Sequence, residues 1–194
     1  MMDLTTLELT KTVLTIDQLE TKEDLLLKQL ITQASKEAEI LLNRTVLFAT
    51  GKVETLDVEQ YQYNFSFSAF PITTFTNLWN DSTRVFGSNT IIDASSYYVN
   101  KETGWVYVDK VFLTPGRGVL KAQYNGGMAA DTDAFVAAYE DIAGAIAMEV
   151  AYRYQRRKSL GIVAVTAQGG SVAFPVREQF LNLVEDVLMS HRRH

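Results

Sequence analysis

Residues Lys121 to Arg157 read "KAQYNGGMAADTDAFVAAYEDIAGAIAMEVAYRYQRR", and the period of the chain changes inside this stretch. The run ending at Tyr124, "GVLKAQY", reads as a strand of β-branched and aromatic residues. Asn125-Gly126-Gly127 then closes the strand and releases the chain. Asp131 or Thr132 can cap a helix that begins at "DTDAF" and runs to about Lys158. Asp133, Glu140 and Asp141 lie near its positive end. The body of this helix is rich in alanine and glycine. Small side chains let neighbouring backbones come close, so it is expected to be buried on more than one side. Gly144, Ala147 and Ala151 are the candidates for contacts between subunits.

Upstream, a first helix is expected over 21–43. Leu27, Leu30, Ile31, Ala34, Ala38, Leu41 and Leu42 recur at helical spacing and make one apolar stripe. "TKED" at Thr21 to Asp24 reads as a capping box. From Thr45 to Tyr124 the period is two, in the runs "VLFAT", "YQYNFSFSAF", "TTFTNLWN", "SSYYVN", "WVYVD" and "GVLKAQY". Asn100 to Gly104 suits a hairpin loop with one left-handed position. Downstream, "IVAV" and "GGSVAF" read as a hairpin or extended arm. A last amphipathic helix over 176–190 places Phe180, Leu183, Val184, Val187 and Leu188 on one face.

The fold class is therefore α+β: a small bundle of three main helices with an inserted antiparallel β-module, a small barrel or sandwich, and an extended C-terminal arm. Residues 1–44 and 125–194 are expected to form the helical part, and 45–124 the β-domain.

Hydrophobic residues make up 47% of the 194-residue chain and charged residues 21%, proportions that suit a soluble globular fold with a substantial core. There is no cysteine, which excludes disulfide scaffolds, thiol nucleophiles and thiolate zinc sites. The first residues carry no apolar signal core. The longest uncharged run of the alanine-rich helix, Ile142 to Met148, is far short of the ~20 residues that span a bilayer. No membrane partner is expected.

The net charge of −5 is unevenly spread. Residues 1–60 carry 11 acids and 6 bases, residues 61–150 carry 9 and 5, and residues 151–194 carry 3 and 7. Arg153, Arg156, Arg157 and Lys158 form a basic cluster that can face an acidic or polyanionic partner. It can equally complement the dipole of a helix C-terminus.

No catalytic constellation is present. "TAQGGS" lacks the Gly-Lys-[Ser/Thr] of a phosphate loop. The two histidines, His191 and His194, lie at the terminus, where nothing is expected to hold a general base in place. Asp131 and Asp133 read as a helix cap before a metal pair. Glu140, Asp141 and Glu149 read as a solvated face or a subunit contact. Trp79, Trp105 and the tyrosine-rich strands could stack bases, but the segment around them is net acidic, so core and interface aromatics are the better reading. No cofactor and no enzymatic activity are expected.

In its order of elements the chain resembles the head–tail adaptor (connector) proteins of long-tailed bacteriophages. Four stretches carry the resemblance: "DLLLKQLITQASKEAEILLNRTV", "FPITTFTNLW", "YYVNKETGWVYV" and the Lys121–Arg157 stretch quoted above. The resemblance implies a short helix before residue 21, where "TIDQLE" reads as no more than a turn. It implies a structural protein of the virion neck, arranged as a cyclic ring of about twelve copies. A portal protein would lie above the ring and a stopper or tail protein below, with genomic DNA passing through the lumen unread. It also implies that the arm reaches toward the portal. Arg153, Arg156, Arg157, Lys158, Ile162, Val163, Val165, Val172, Phe174, Arg192 and Arg193 are then the docking candidates. With Gly161, Gly169 and Gly170 loosening its backbone, the arm is expected to order only on the portal.

Two other classes make distinct predictions. A DNA-binding or DNA-processing protein would use the basic C-terminal third and bind duplex in a salt-sensitive way. An enzyme would show a deep pocket with perturbed carboxylates in the β-domain.

Overall fold

Thr6 opens the first helix, α1 (Leu7–Leu14), its hydroxyl accepting from the Leu9 amide at 3.1 Å. The computed structural model describes residues 2–157, 164–167, 170–173 and 180–192. "TIDQLE" itself is not helical; a short helix stands ahead of it, over 7–14, where the sequence showed none. Its apolar stripe is hidden because Thr10 and Lys11 occupy the buried side. Lys11 is 2% exposed, and its ammonium finds three partners. It donates to the carbonyls of Gln18 (3.2 Å) and Glu20 (2.7 Å) and pairs with Asp24 Oδ1 at 2.6 Å. "TIDQLE" is thus a loop folded around one ammonium, and the Asp24 carboxylate serves Lys11, not the expected capping box.

Helix α2 (Asp24–Leu42) buries Leu27, Ile31, Ala34, Ala38 and Leu42, the stripe read from the sequence. It stops where Asn43 takes a left-handed backbone, φ 51°, a conformation asparagine tolerates better than most residues. The chain divides here into two units. Met1–Leu42 with Thr132–Arg192 make one, and Asn43–Asp131 make the other. The second change of unit falls a few residues later than the 124/125 boundary expected from periodicity, because the last strand runs on past Tyr124.

The β unit contains β1 (Ala49–Val58), β2 (Asn64–Ser66), β3 (Ile72–Asn80), β4 (Tyr97–Asn100), β5 (Trp105–Val108) and β6 (Gly116–Gly126). They form two antiparallel three-stranded sheets, in the orders β1-β6-β3 and β2-β5-β4. No closed barrel forms, so the sandwich of the two expected alternatives is the nearer description. Both sheets contribute to one core, with Phe65, Val106 and Val108 from one and Leu78, Leu120, Ala122 and Tyr124 from the other. Phe67, Phe75, Tyr97 and Tyr124 meet within it at centroid separations of 5.4–6.1 Å, Phe75 stacked on Tyr124 and the other pairs tilted or edge-on.

Most of "VLFAT" and "YQYNFSFSAF" lies outside the ladders, whereas "ATGKVETLDV" forms all of β1. Its alternation was disguised because Lys52 and Glu54 share the half-buried face with Leu56. Glu54 belongs there. Its Oε2 accepts from the Tyr124 hydroxyl (2.6 Å) and from the amide and hydroxyl of Ser68 (both 3.0 Å). Burial, together with that carboxylate, pushes the Tyr124 phenol far above its ordinary range.

Gly104 closes the β4–β5 hairpin at φ +71°, the left-handed position its sequence required. Gly126 is not a turn residue but the last rung of β6, opposite Ala49 and Ile72. A Cβ there would stand 2.4 Å from the Ala69 carbonyl oxygen. The incoming and outgoing chains of the unit lie side by side. The Phe48 amide donates to Ala129 O and the Met128 amide to Val46 O, both at 2.8 Å, around a parallel bridge between Leu47 and Ala129.

In the helical unit the expected 132–158 helix is two: α3 (Thr132–Ala138) and α4 (Glu140–Arg156). Tyr139 sits between them at φ −133°, ψ 57°. Glu140 and Asp141 supply the acidic first turn of a second helix. Helix α4 packs against α1, α2, α3 and α5 (Asn182–Ser190), which explains its small side chains. The last helix starts at Asn182; the expected turns over 176–179 lie outside the described residues. Between α4 and α5, β7 (Ala164–Ala167) and β8 (Gly170–Ala173) pair with each other. Five helices are thus present among the described residues, against the three main ones expected.

Candidate docking surfaces

Arg153 was the first residue of the expected basic docking cluster, and the fold has engaged it elsewhere. Its guanidinium reaches Glu37 on α2 through two bonds, 3.2 and 2.6 Å, and Glu149 one turn back on α4 at 2.8 Å. Its planar group also lies 5.3 Å from the Phe180 ring centroid. Burial works against its charge, but the two carboxylates outweigh that and raise its pKa further. Glu149 is 2% exposed, which corrects its reading as a solvated face. Its other oxygen accepts from the Leu181 amide at 2.9 Å, just ahead of α5. One carboxylate and one guanidinium therefore tie α2, α4 and the start of α5 together.

The remaining arginines of the cluster are partly engaged. Arg156 donates to the Tyr152 hydroxyl at 2.6 Å. Arg157 donates to the Tyr154 carbonyl at 2.7 Å, lies 3.6 Å from the Tyr154 ring centroid, and approaches Glu23 at 3.7 Å. The dipole-complementing reading of this cluster thus describes Arg157 well. Arg192 is exposed and reaches the Met189 sulfur at 3.7 Å. Lys158, Ile162, Val163, Phe174 and Arg193 lie outside the described residues, as does most of the segment expected to order on a partner. Val165 and Val172 stand opposite each other in the β7–β8 ladder.

Of the three subunit-contact candidates, Ala147 and Ala151 are buried inside the protomer. Their small size is spent on the α4 bundle. Gly144 differs: it is half-buried, and a Cβ added there would meet nothing within 4 Å. Glycine costs about 0.5–1 kcal/mol in mid-helix, and nothing among the described residues requires it.

The features sought in an enzyme point elsewhere. Among the described residues, the carboxylates that the fold clearly shifts, Glu37, Asp81, Asp93 and Asp141, are held below their usual range, opposite to the shift a general acid needs. No cluster of three metal-ligating side chains occurs among the described residues. His191 is not loose: its Nε2 lies 2.7 Å from Asp141 Oδ2, and its ring meets Tyr139 edge-on. Trp79 is buried beneath Lys121, whereas Trp105, Tyr98 and Tyr107 are exposed on the outer face of the β2-β5-β4 sheet. Among the described residues, no helix is long and apolar enough to cross a membrane.

The sequence model of a family described as "Head completion protein" matches residues 3–194. No curated protein matches the chain. Solved structures do. A chain of the "Virion of native gene transfer agent (GTA) particle" superposes with a TM-score of 0.56 at 16% identity, over 96% of this chain and 88% of that one. A chain of the "Neck of native GTA particle computed with C12 symmetry" gives 0.54 at 17% identity, over 96% and 89%. A chain of the "Neck of empty GTA particle computed with C6 symmetry" gives 0.56 at 16%, over 95% and 87%. At such identities the likeness is one of fold.

Proposed function

The chain belongs to the head completion protein family, a structural and non-enzymatic role at the junction of head and tail, and on that premise we propose that it forms a neck ring beneath the portal. The observation that carries this reading is the extent of the family match, which spans both units and the C-terminal segment alike. The folds it resembles come from a virion and from necks solved with C12 and C6 symmetry, which supports a cyclic ring of this chain, with twelve copies as the proposed number.

The portal partner is proposed to meet the segment after α4. Arg156, Arg157 and Lys158 would stand at its root. Ile162, Val163, Val165, Val172 and Phe174 would supply apolar contacts, and Arg192 and Arg193 further charge. Arg153 leaves this set, since its role is internal. A stopper or tail protein would cover the opposite face, and DNA would pass through the lumen. The rival reading, direct DNA binding by the basic third, loses its first arginine, because Arg153 is held by Glu37 and Glu149 within the protomer.

The test is particle assembly without the protein. Heads should fill with DNA and fail to join tails, and supplying the protein should restore joining. Normally tailed particles in its absence would overturn the proposal.

A further inference from the structure

Helix α2 presents a face that the protomer leaves uncovered. Leu25 is 72% exposed and Ile40 78%, and between them run Lys28, Gln29, Thr32, Gln33 and Lys36, lining a shallow groove of about 390 Å³. The residues from Leu25 to Ile40 span about 22 Å of helix. Three acids in and beside this helix are engaged inward, Glu23 with Arg157, Asp24 with Lys11 and Glu37 with Arg153, and Glu39, the remaining acid of α2, is half-buried and engaged as well. Lys28 and Lys36 have no partner among the described residues. The face is basic in the middle and apolar at both ends.

A surface of the opposite character lies on α3 and the first turns of α4. Asp133, Ala137 and Glu140 are exposed, and Gly144 and Met148 follow on the same side at helical spacing, half-buried. The side chains of Asp133 and Glu140 likewise have no partner among the described residues. The nearby bases are taken, His191 by Asp141 and Arg153 by Glu37 and Glu149. Gly144 gives this face its low point.

We propose that the basic α2 face of one copy docks on the acidic α3–α4 face of the next, with Lys28 and Lys36 opposite Asp133 and Glu140 and the α2 backbone brought close at Gly144. This deepens, and rests on, the ring reading given above. The two faces use different residues, so the contact is head-to-tail. That is the kind of contact that closes into a ring when the rotation between copies permits. Complementary charge sets the register, and like faces repel, which disfavours a two-fold dimer.

The chain has no cysteine, so introduced thiols report on one contact alone. A Lys28→Cys, Glu140→Cys double variant, treated with a short bis-maleimide in purified particles, should give a ladder of linked multimers that neither single variant gives. Lys28→Glu with Lys36→Glu should lower the number of copies per particle about ten-fold or more, as should Asp133→Lys with Glu140→Lys. All four substitutions on one chain should restore it, which simple misfolding would not. Each single-face variant alone should fail to assemble, and the two mixed in equal amounts should co-assemble in alternation, because each offers the charge that both faces of the other need. If wild-type particles show no cyclic arrangement of this chain, the ring reading itself fails. If the ring is present but gives no ladder and is indifferent to charge reversal, the ring stands and this pairing of faces is overturned.

Discussion

Glu149, buried on α4, links that helix to the start of α5, where it accepts from the Leu181 amide, and shares the Arg153 guanidinium with Glu37 on α2. Glu149→Ala should cost about 2–4 kcal/mol, because it strands a backbone donor and removes one of the two carboxylates of a half-buried guanidinium. Arg156→Ala, a few residues on, should cost under about 1 kcal/mol. Urea titrations of the two variants check both, and equal losses would refute this division of roles. Gly126→Ala should destabilise by about 1–3 kcal/mol, since its methyl would press on the Ala69 carbonyl. The sequence did offer a clue to Arg153: Glu149 and Arg153 are four apart, the spacing of a helical ion pair. What spacing could not reveal was Glu37, 116 residues away, and that partner takes Arg153 out of the docking cluster.

At the scale of elements, legibility followed the apolar pattern. The α2 stripe and the β4–β5 hairpin could be read because hydrophobic period and turn chemistry agreed. Helix α1 was hidden because its buried side carries Thr10 and Lys11, and β1 because Lys52 and Glu54 face inward. The division of α3 from α4 at one residue was invisible to periodicity, which runs through Tyr139 unbroken. The Tyr139 amide still bonds to Phe135 O and the Ala143 amide to Tyr139 O, so the helical ladder passes over the joint. Two substitutions on α4 should behave oppositely. Ala147→Leu should destabilise the protomer by about 1–3 kcal/mol through overpacking. Gly144→Ala should leave it as stable or more so, by up to about 1 kcal/mol. Gly144→Leu should block assembly of copies while thermal unfolding of the single chain stays near wild type. A Gly144→Leu chain that enters particles normally would remove Gly144 from the contact.

For the whole molecule, acid is the informative perturbation. The bond to Arg153, against the opposing effect of burial, holds Glu37 below the usual carboxylate range. Burial raises Asp141, but its bond to His191 and the Ile142 amide more than reverse this. A lowered folded-state pKa means that the unfolded chain takes up protons first as pH falls. The stability these groups contribute is complete above the usual carboxylate range. It drains from about pH 4.5 downward as pH passes through their folded values. The urea midpoint should therefore be insensitive to these two carboxylates above that pH and fall below it. Glu37→Gln should flatten part of the fall. A wild-type midpoint unchanged at about pH 3 would count against both assignments.

The two chain crossings between the units have a further consequence, and it concerns inheritance. Because Val46–Phe48 and Met128–Ala129 are hydrogen-bonded neighbours, the β unit hangs on two strands that already lie together. An exchange of gene segments at those two points could replace everything between them with a longer, shorter or unrelated module, and the helical unit would need only to accept two adjacent chain ends. If copies join through helices and the β unit meets other components, recombination at Asn43 and Asp131 changes what the particle can be completed with, and spares the surface on which the copies recognise one another.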